Sequence, residues 1–141
     1  MIKGLVFMAS QEITEEQLSI WVREQFQRAN KHLAEKGVLF DSVVIQESKY
    51  LAPYVAIWKI KAMDGKFFWV ISGDVPADFM PYEAEKTARN ALRGFSLRWQ
   101  LQADNILHSG TNDKTQHDFA DRLIVKAEAV YELFSNDETW Q

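Results

Sequence analysis

Trp58-Lys59-Ile60-Lys61-Ala62-Met63-Asp64-Gly65-Lys66-Phe67-Phe68-Trp69-Val70-Ile71-Ser72-Gly73 contains two runs of aromatic and β-branched residues on either side of an Asp-Gly pair. Asp-Gly takes the positive φ values of a tight turn at little cost, so the spacing predicts a β-hairpin with strands at Tyr54 to Met63 and Lys66 to Gly73. A two-residue type I′ loop places Met63 opposite Lys66, Ala62 opposite Phe67, Ile60 opposite Trp69 and Trp58 opposite Ile71. The last three pairs share a wholly apolar face, expected to point into the core. The other face sets Lys61 opposite Phe68, Lys59 opposite Val70 and Ile57 opposite Ser72, a mixture that calls for a cover.

Working outward, Leu39 to Glu47 is Val- and Ile-rich and reads as a further strand. Before it, Thr14 and Gln17 have the spacing of a capping box, with Ile13 and Leu18 at the positions of a hydrophobic staple. The helix they start is expected to run from about 15 to 36, where Gly37 supplies a left-handed end. Its apolar arc holds Leu18, Trp21, Val22, Phe26, Ala29 and Leu33. Beyond the hairpin, residues 74 to 82 form a connector stiffened by Pro76 and Pro81, with Pro81 expected as the first residue of a helix reaching about His108. That helix turns Phe95, Trp99 and Ala103 to the core and Leu97 and Leu101 to nearly the opposite side. Gly94 in its middle marks a close approach by another backbone. Asp113 and Gln116 can cap a last helix, from about 114 to 134, that is largely buried.

The sequence has 141 residues, with 47% in the hydrophobic set and 26% charged, which suits one soluble core. The expected organisation is a single α+β domain over residues 1–141, with an N-terminal arm or strand at 1–13 and a polar tail at 136–141. Its parts are an N-terminal helix, a three- or four-stranded antiparallel sheet with the Asp-Gly hairpin, and two C-terminal helices packed on the sheet. A net charge of −4 disfavours nucleic acid and anionic membranes as partners. The absence of cysteine excludes protein-thiol chemistry and disulfides. The apolar run near Met1 is too short for a signal peptide and no window spans a bilayer, so a cytoplasmic protein is expected.

Dinucleotide, P-loop, hydrolase, zincin and EF-hand motifs do not occur, so no catalytic residue is assigned and no cofactor is implied. His108, Asp113, His117 and Asp121 cluster around the last interhelical turn, but helix capping and solvation account for them and no metal site is assigned. Lys86, Arg89 and Arg93 are spaced to form a cationic ridge, with Tyr82 on the same line, that could grip a carboxylate or phosphate. Together with Asp74, Asp78 and Glu83 they make the candidate anionic-ligand pocket, in a protein that would then be a small-molecule binder or enzyme. Ser72 and Asp74 flank Gly73 as ordinary turn residues. The aromatic side chains at Trp21, Trp58, Trp69, Phe95 and Trp99 fall on core faces and do not form a base-stacking platform. Phe68 and Val70 on the outer hairpin face, with Leu97 and Leu101 on the outer helix face, have no partner in a two-layer domain. Either helix packing on the far side or a second subunit covers them. They are the candidate contact residues of a binding or regulatory module acting through a protein partner or self-association.

Trp21-Val22-Arg23-Glu24-Gln25, Tyr50-Leu51-Ala52-Pro53, Trp69-Val70-Ile71-Ser72-Gly73-Asp74-Val75-Pro76 and Phe95-Ser96-Leu97-Arg98-Trp99-Gln100-Leu101-Gln102-Ala103 together resemble a small bacterial family known only as a domain of unknown function. The resemblance covers about residues 20 to 108. It implies a soluble bacterial protein and carries no catalytic residues.

Overall fold

The computed structural model describes residues 13–141. Apart from Ile13, the arm or strand expected at 1–13 lies outside them. Helix α1 (Glu15–Glu35) leads into strands β1 (Phe40–Val43), β2 (Lys49–Leu51), β3 (Val55–Ala62), β4 (Phe67–Gly73) and β5 (Asp78–Pro81), and then helices α2 (Ala88–Leu107) and α3 (Lys114–Ser135). The sheet is antiparallel in the order β1-β3-β4-β5, with β2 also pairing with β3. It has five strands where three or four were expected, because the connector after β4 pairs with it as an edge strand and Lys49–Leu51 adds a short one.

The hairpin forms where Asp64-Gly65 predicts it, but one residue out of the expected register. Lys61 lies opposite Phe67, Ile60 opposite Phe68, Lys59 opposite Trp69, Trp58 opposite Val70 and Ile57 opposite Ile71. The loop is three residues long, Met63 to Gly65. Ala62 N–H donates to the Lys66 carbonyl at 2.8 Å, Gly65 N–H donates to the Ala62 carbonyl at 2.9 Å, and Gly65 has φ +89°. A left-handed glycine closing a three-residue loop is the other common hairpin solution, and it moves every side chain of one strand by one place relative to its partner.

The shift re-sorts the faces. Ala56, Trp58, Ile60 and Val70 point to one side, where Ala29 and Leu33 of α1 cover them. Val55, Ile57, Trp69 and Ile71 point to the other, beneath Leu92, Phe95 and Trp99 of α2 and Leu123, Ala127 and Val130 of α3. Both faces of the sheet are therefore internal, and the molecule has three layers. Phe68 and Val70, expected to be covered by a helix or by a second subunit, are covered by α1 and so are not free as contact residues. Val70 is 0% exposed, and Phe68 packs in the α1-side cluster with its ring 5.7 Å from that of Phe79. Burying side chains such as Trp58, Ile60 and Val70 under α1 stabilises the fold by about 1.5–3 kcal/mol each.

Local signals place the helix ends. Gln17 N–H donates to Thr14 Oγ1 and Thr14 N–H to Gln17 Oε1, both at 3.0 Å, completing the capping box of α1. Asp113 caps α3 by accepting from Thr115 N–H at 2.9 Å. Pro81, by contrast, does not open α2. It ends the edge strand β5, where its missing N–H costs no ladder bond, and Thr87 caps α2 by accepting from Asn90 N–H at 3.1 Å. The intervening turn at Tyr82–Ala84 is held by the Trp69 indole, which donates to the Glu85 carbonyl at 2.7 Å. A Cβ on Gly94 would meet Met80 Cε at 3.2 Å and Glu85 Cγ at 3.4 Å, so the glycine makes room for side chains and not for the second backbone expected there. The tail at 136–141 is docked. Asp137–Trp140 form one helical turn, and the Trp140 indole donates to the Leu133 carbonyl at 3.0 Å.

Candidate functional site

Helices α2 and α3 run antiparallel. Arg89 Nε donates to the Phe134 carbonyl at 2.9 Å, and seven residues further along α2 the buried Ser96 hydroxyl donates to the Ala127 carbonyl at 2.8 Å. Small residues at Ser96 and Ala127 let the two backbones come close there. The buried row of α2, through Phe95, Trp99 and Ala103, faces the sheet, so Leu97 and Leu101 point away from it. α3 buries Leu123, Ala127 and Val130, which turns Glu128, Tyr131 and Glu132 outward.

Between these outward rows lies a groove of about 850 Å³, lined by Leu97, Gln100, Leu101, Asp104 and Leu107 of α2 and Ile124, Glu128, Tyr131 and Glu132 of α3. Its apolar side chains are open to solvent, with Leu101 65% exposed and Tyr131 44%. The ionisable groups in its lining, Asp104, Glu128 and Glu132, are all exposed carboxylates apart from the Tyr131 phenol. A second cavity, of about 540 Å³, lies on the other flank of α3 between that helix and the ends of β3 and β4. Tyr54, Asp74, Val75, Lys126 and Asn136 contribute to its wall, and Lys126 Nζ pairs with Asp74 at 3.3 Å. On its rim Arg28 donates to the carbonyls of Gly73 and Val75, and Asp74 N–H to that of Tyr54 at 2.8 Å.

Of the proposed anionic-ligand residues, Tyr82 and Lys86 lie together. Neither cavity is lined by Asp78, Tyr82, Lys86, Arg89 or Arg93. Asp78 accepts from the Trp99 indole at 3.0 Å and pairs with Arg98 Nε at 3.1 Å. Tyr82 packs on Trp69 with ring centroids 5.6 Å apart, and Lys86 Nζ sits 5.1 Å from its ring. Arg89 binds the C-terminal turn through Phe134 and through Asp137 Oδ1 at 2.7 Å. Because Lys86 precedes α2, it does not share a helical ridge with Arg89 and Arg93. Of the set, Asp74 lines the smaller of these two cavities, where among the described residues the Asp74, Glu128 and Glu132 carboxylates outnumber the Lys126 ammonium. Glu83 lies in the short turn before α2. Among the contact candidates, Leu97 and Leu101 remain exposed and come together in the groove.

Sequence reasoning missed Glu128, Tyr131 and Glu132 as partners of Leu97 and Leu101. Their i, i+3, i+4 spacing marks a helix face, but which face meets α2 depends on helix pairing. It also missed Lys59, which the register shift buries on the α2 side of the sheet. Lys59 Nζ is 3.0 Å from Glu47 Oε1 and 4.0 Å from the centre of the Tyr82 ring. Charge pairing and the ring face together compensate its lost hydration.

Near the last turn, His108 Nδ1 lies 2.9 Å from the Asp104 carbonyl, and His117 Nε2 lies 2.8 Å from that of Thr111. Among the described residues no group of three or more His, Asp or Glu is placed to hold a metal ion, and no helix is long and apolar enough to cross a membrane. No curated protein and no solved structure matches the chain. A family model does match, across residues 15–140, nearly the whole of the described chain. The chain belongs to that family, whose description is Domain of unknown function (DUF4826).

Proposed function

We propose that this protein is a binding module that acts through protein contacts, with the α2–α3 groove as its contact face. The observation carrying this reading is that Leu97, Leu101, Leu107 and Tyr131 lie exposed together along one groove of a molecule whose sheet is covered on both faces. A leucine left in water forgoes about 1.5–3 kcal/mol of burial, so several side by side favour a surface that is covered in use. A photo-crosslinking amino acid placed at Leu101, and for comparison at the exposed Lys31 on α1, tests it in cells that make the protein. Adducts are expected at position 101 and not at 31. Equal yields at the two positions, or none at 101, would count against the reading.

The cavity beside Tyr54 and Asp74 supports a second reading, as a small-molecule binder, because Arg28 hydrogen-bonds its rim at Val75 and its volume of about 540 Å³ suits a small ligand. A thermal-shift panel separates the two. Stabilisation by a metabolite that Ala129→Trp abolishes favours the ligand, since that position lines this cavity and not the groove.

A further inference from the structure

We infer that the occupant of the α2–α3 groove is a cationic amphipathic helix of another protein, with apolar residues at i, i+3, i+4 and i+7 flanked by Lys or Arg; this deepens the protein-contact reading and rests on it. The charge of the lining selects the sign. Asp104, Glu128 and Glu132 stand along an apolar floor of Leu97, Leu101 and Ile124, and among the described residues no Lys or Arg lines it. Arg93 lies one helical turn before Leu97, at the end of the row. A partner with cationic flanks meets three carboxylates in a setting drier than bulk water, whereas anionic flanks meet repulsion.

The same charges argue against a second copy. A two-fold interface through this face would set the carboxylates of one copy against those of the other. The shape selects a helix. Helices α2 and α3 already satisfy their own backbone hydrogen bonds, so an extended peptide would gain no main-chain ladder there, while a third helix can seat its side chains between the two rows. From Leu97 to Leu107 the groove is about 15 Å long at 1.5 Å per residue, close to three turns of a docked helix.

Two synthetic probes of roughly 18 residues, five helical turns, test this on the intact protein. Both carry the same leucine stripe, one with lysine flanks and one with glutamate flanks. By fluorescence anisotropy the lysine probe is expected to bind at least ten-fold tighter than the glutamate probe, and more weakly as salt rises. In NMR spectra it should shift the amides of Leu97, Leu101 and Tyr131. The triple variant Asp104→Asn, Glu128→Gln, Glu132→Gln should lose at least ten-fold for the lysine probe and nothing for the glutamate probe. All three positions are exposed, so folding is not at risk. Equal binding of the two probes, binding of neither, or shifts mapping elsewhere overturns the cationic-helix assignment. So does a dimer in sedimentation that Leu101→Asp dissociates. In each of these cases crosslinking at position 101 still decides the broader protein-contact reading separately.

Discussion

The Ser72 hydroxyl joins Trp58 to helix α1, accepting the indole N–H at 3.0 Å and donating to the Gln25 carbonyl at 2.9 Å. Ser72 is 0% exposed and Trp58 2%, so the indole N–H is stranded if the hydroxyl is lost. Ser72→Ala should cost about 1–3 kcal/mol by urea denaturation, the penalty for an orphaned buried donor. In a Trp58→Phe background, where no indole N–H is left stranded, the same change should cost less.

Gly73 has φ +125°, and a Cβ there would lie 2.4 Å from the Tyr54 carbonyl oxygen and 2.7 Å from Val55 Cα, both backbone atoms. Gly73→Ala is therefore expected to destabilise by at least about 3 kcal/mol, combining strain with a clash that cannot relax. Gly110 has φ +80° but open space around it, so Gly110→Ala should cost only about 1 kcal/mol. Comparable losses at the two sites in thermal melts would contradict the tight crossing of β3 and the Gly73 turn.

Burial holds the His32 imidazole below its ordinary value of 6.5, with Asp78 pulling the other way. A base whose pKa is lower in the folded state takes up more protons when unfolded, so its contribution is full above 6.5 and is lost as pH falls through the folded value. His32→Gln should flatten the fall in stability between about pH 7.5 and pH 5.5 relative to the parent protein. Parallel stability curves would show that His32 is not responsible.

Arg89 holds the C-terminal turn from three sides, bonding Phe134 and Asp137 and lying 5.8 Å from the Trp140 ring. Lys49 approaches the same ring at 5.7 Å. Trp140→Ala should lower stability by about 2 kcal/mol, chiefly through lost burial. Arg89→Lys should not preserve the contact, since an ammonium cannot reproduce the planar fork. Hydrogen exchange at the end of α3 reads both effects.

The corrected faces make a paired prediction. Val70→Ala, beneath α1, is expected to cost about 2 kcal/mol, whereas Leu101→Ala, in the open groove, should change stability by less than about 0.5 kcal/mol. The opposite order would return Val70 to the surface.

Features made by residues within four places of one another are legible in the amino-acid order itself. Thr14 with Gln17 and Asp113 at the start of α3 each depend on local chemistry that no distant contact overrides, and Asp64-Gly65 marks where the chain turns back. The hairpin register is not legible in this way. Apolar side chains line both faces of β3 and β4, so the patterns for a two-residue and a three-residue loop score alike, and only α1 on one side and α2 with α3 on the other choose between them. Likewise the exposure of Leu97 and Leu101 follows from the wheel of α2, but their meeting with Glu128, Tyr131 and Glu132 does not.

The chain's residues alone are sufficient for the α+β composition, the number and order of the long helices and the existence of the hairpin, because capping, turn formation and amphipathic periodicity act over a single turn or a few strand residues. Which face of each strand lies beneath which helix, and the acidic groove that results, come from packing three layers together. A strand that is greasy on both sides carries no local record of its orientation, and only the volumes and hydrogen bonds of the finished core settle it.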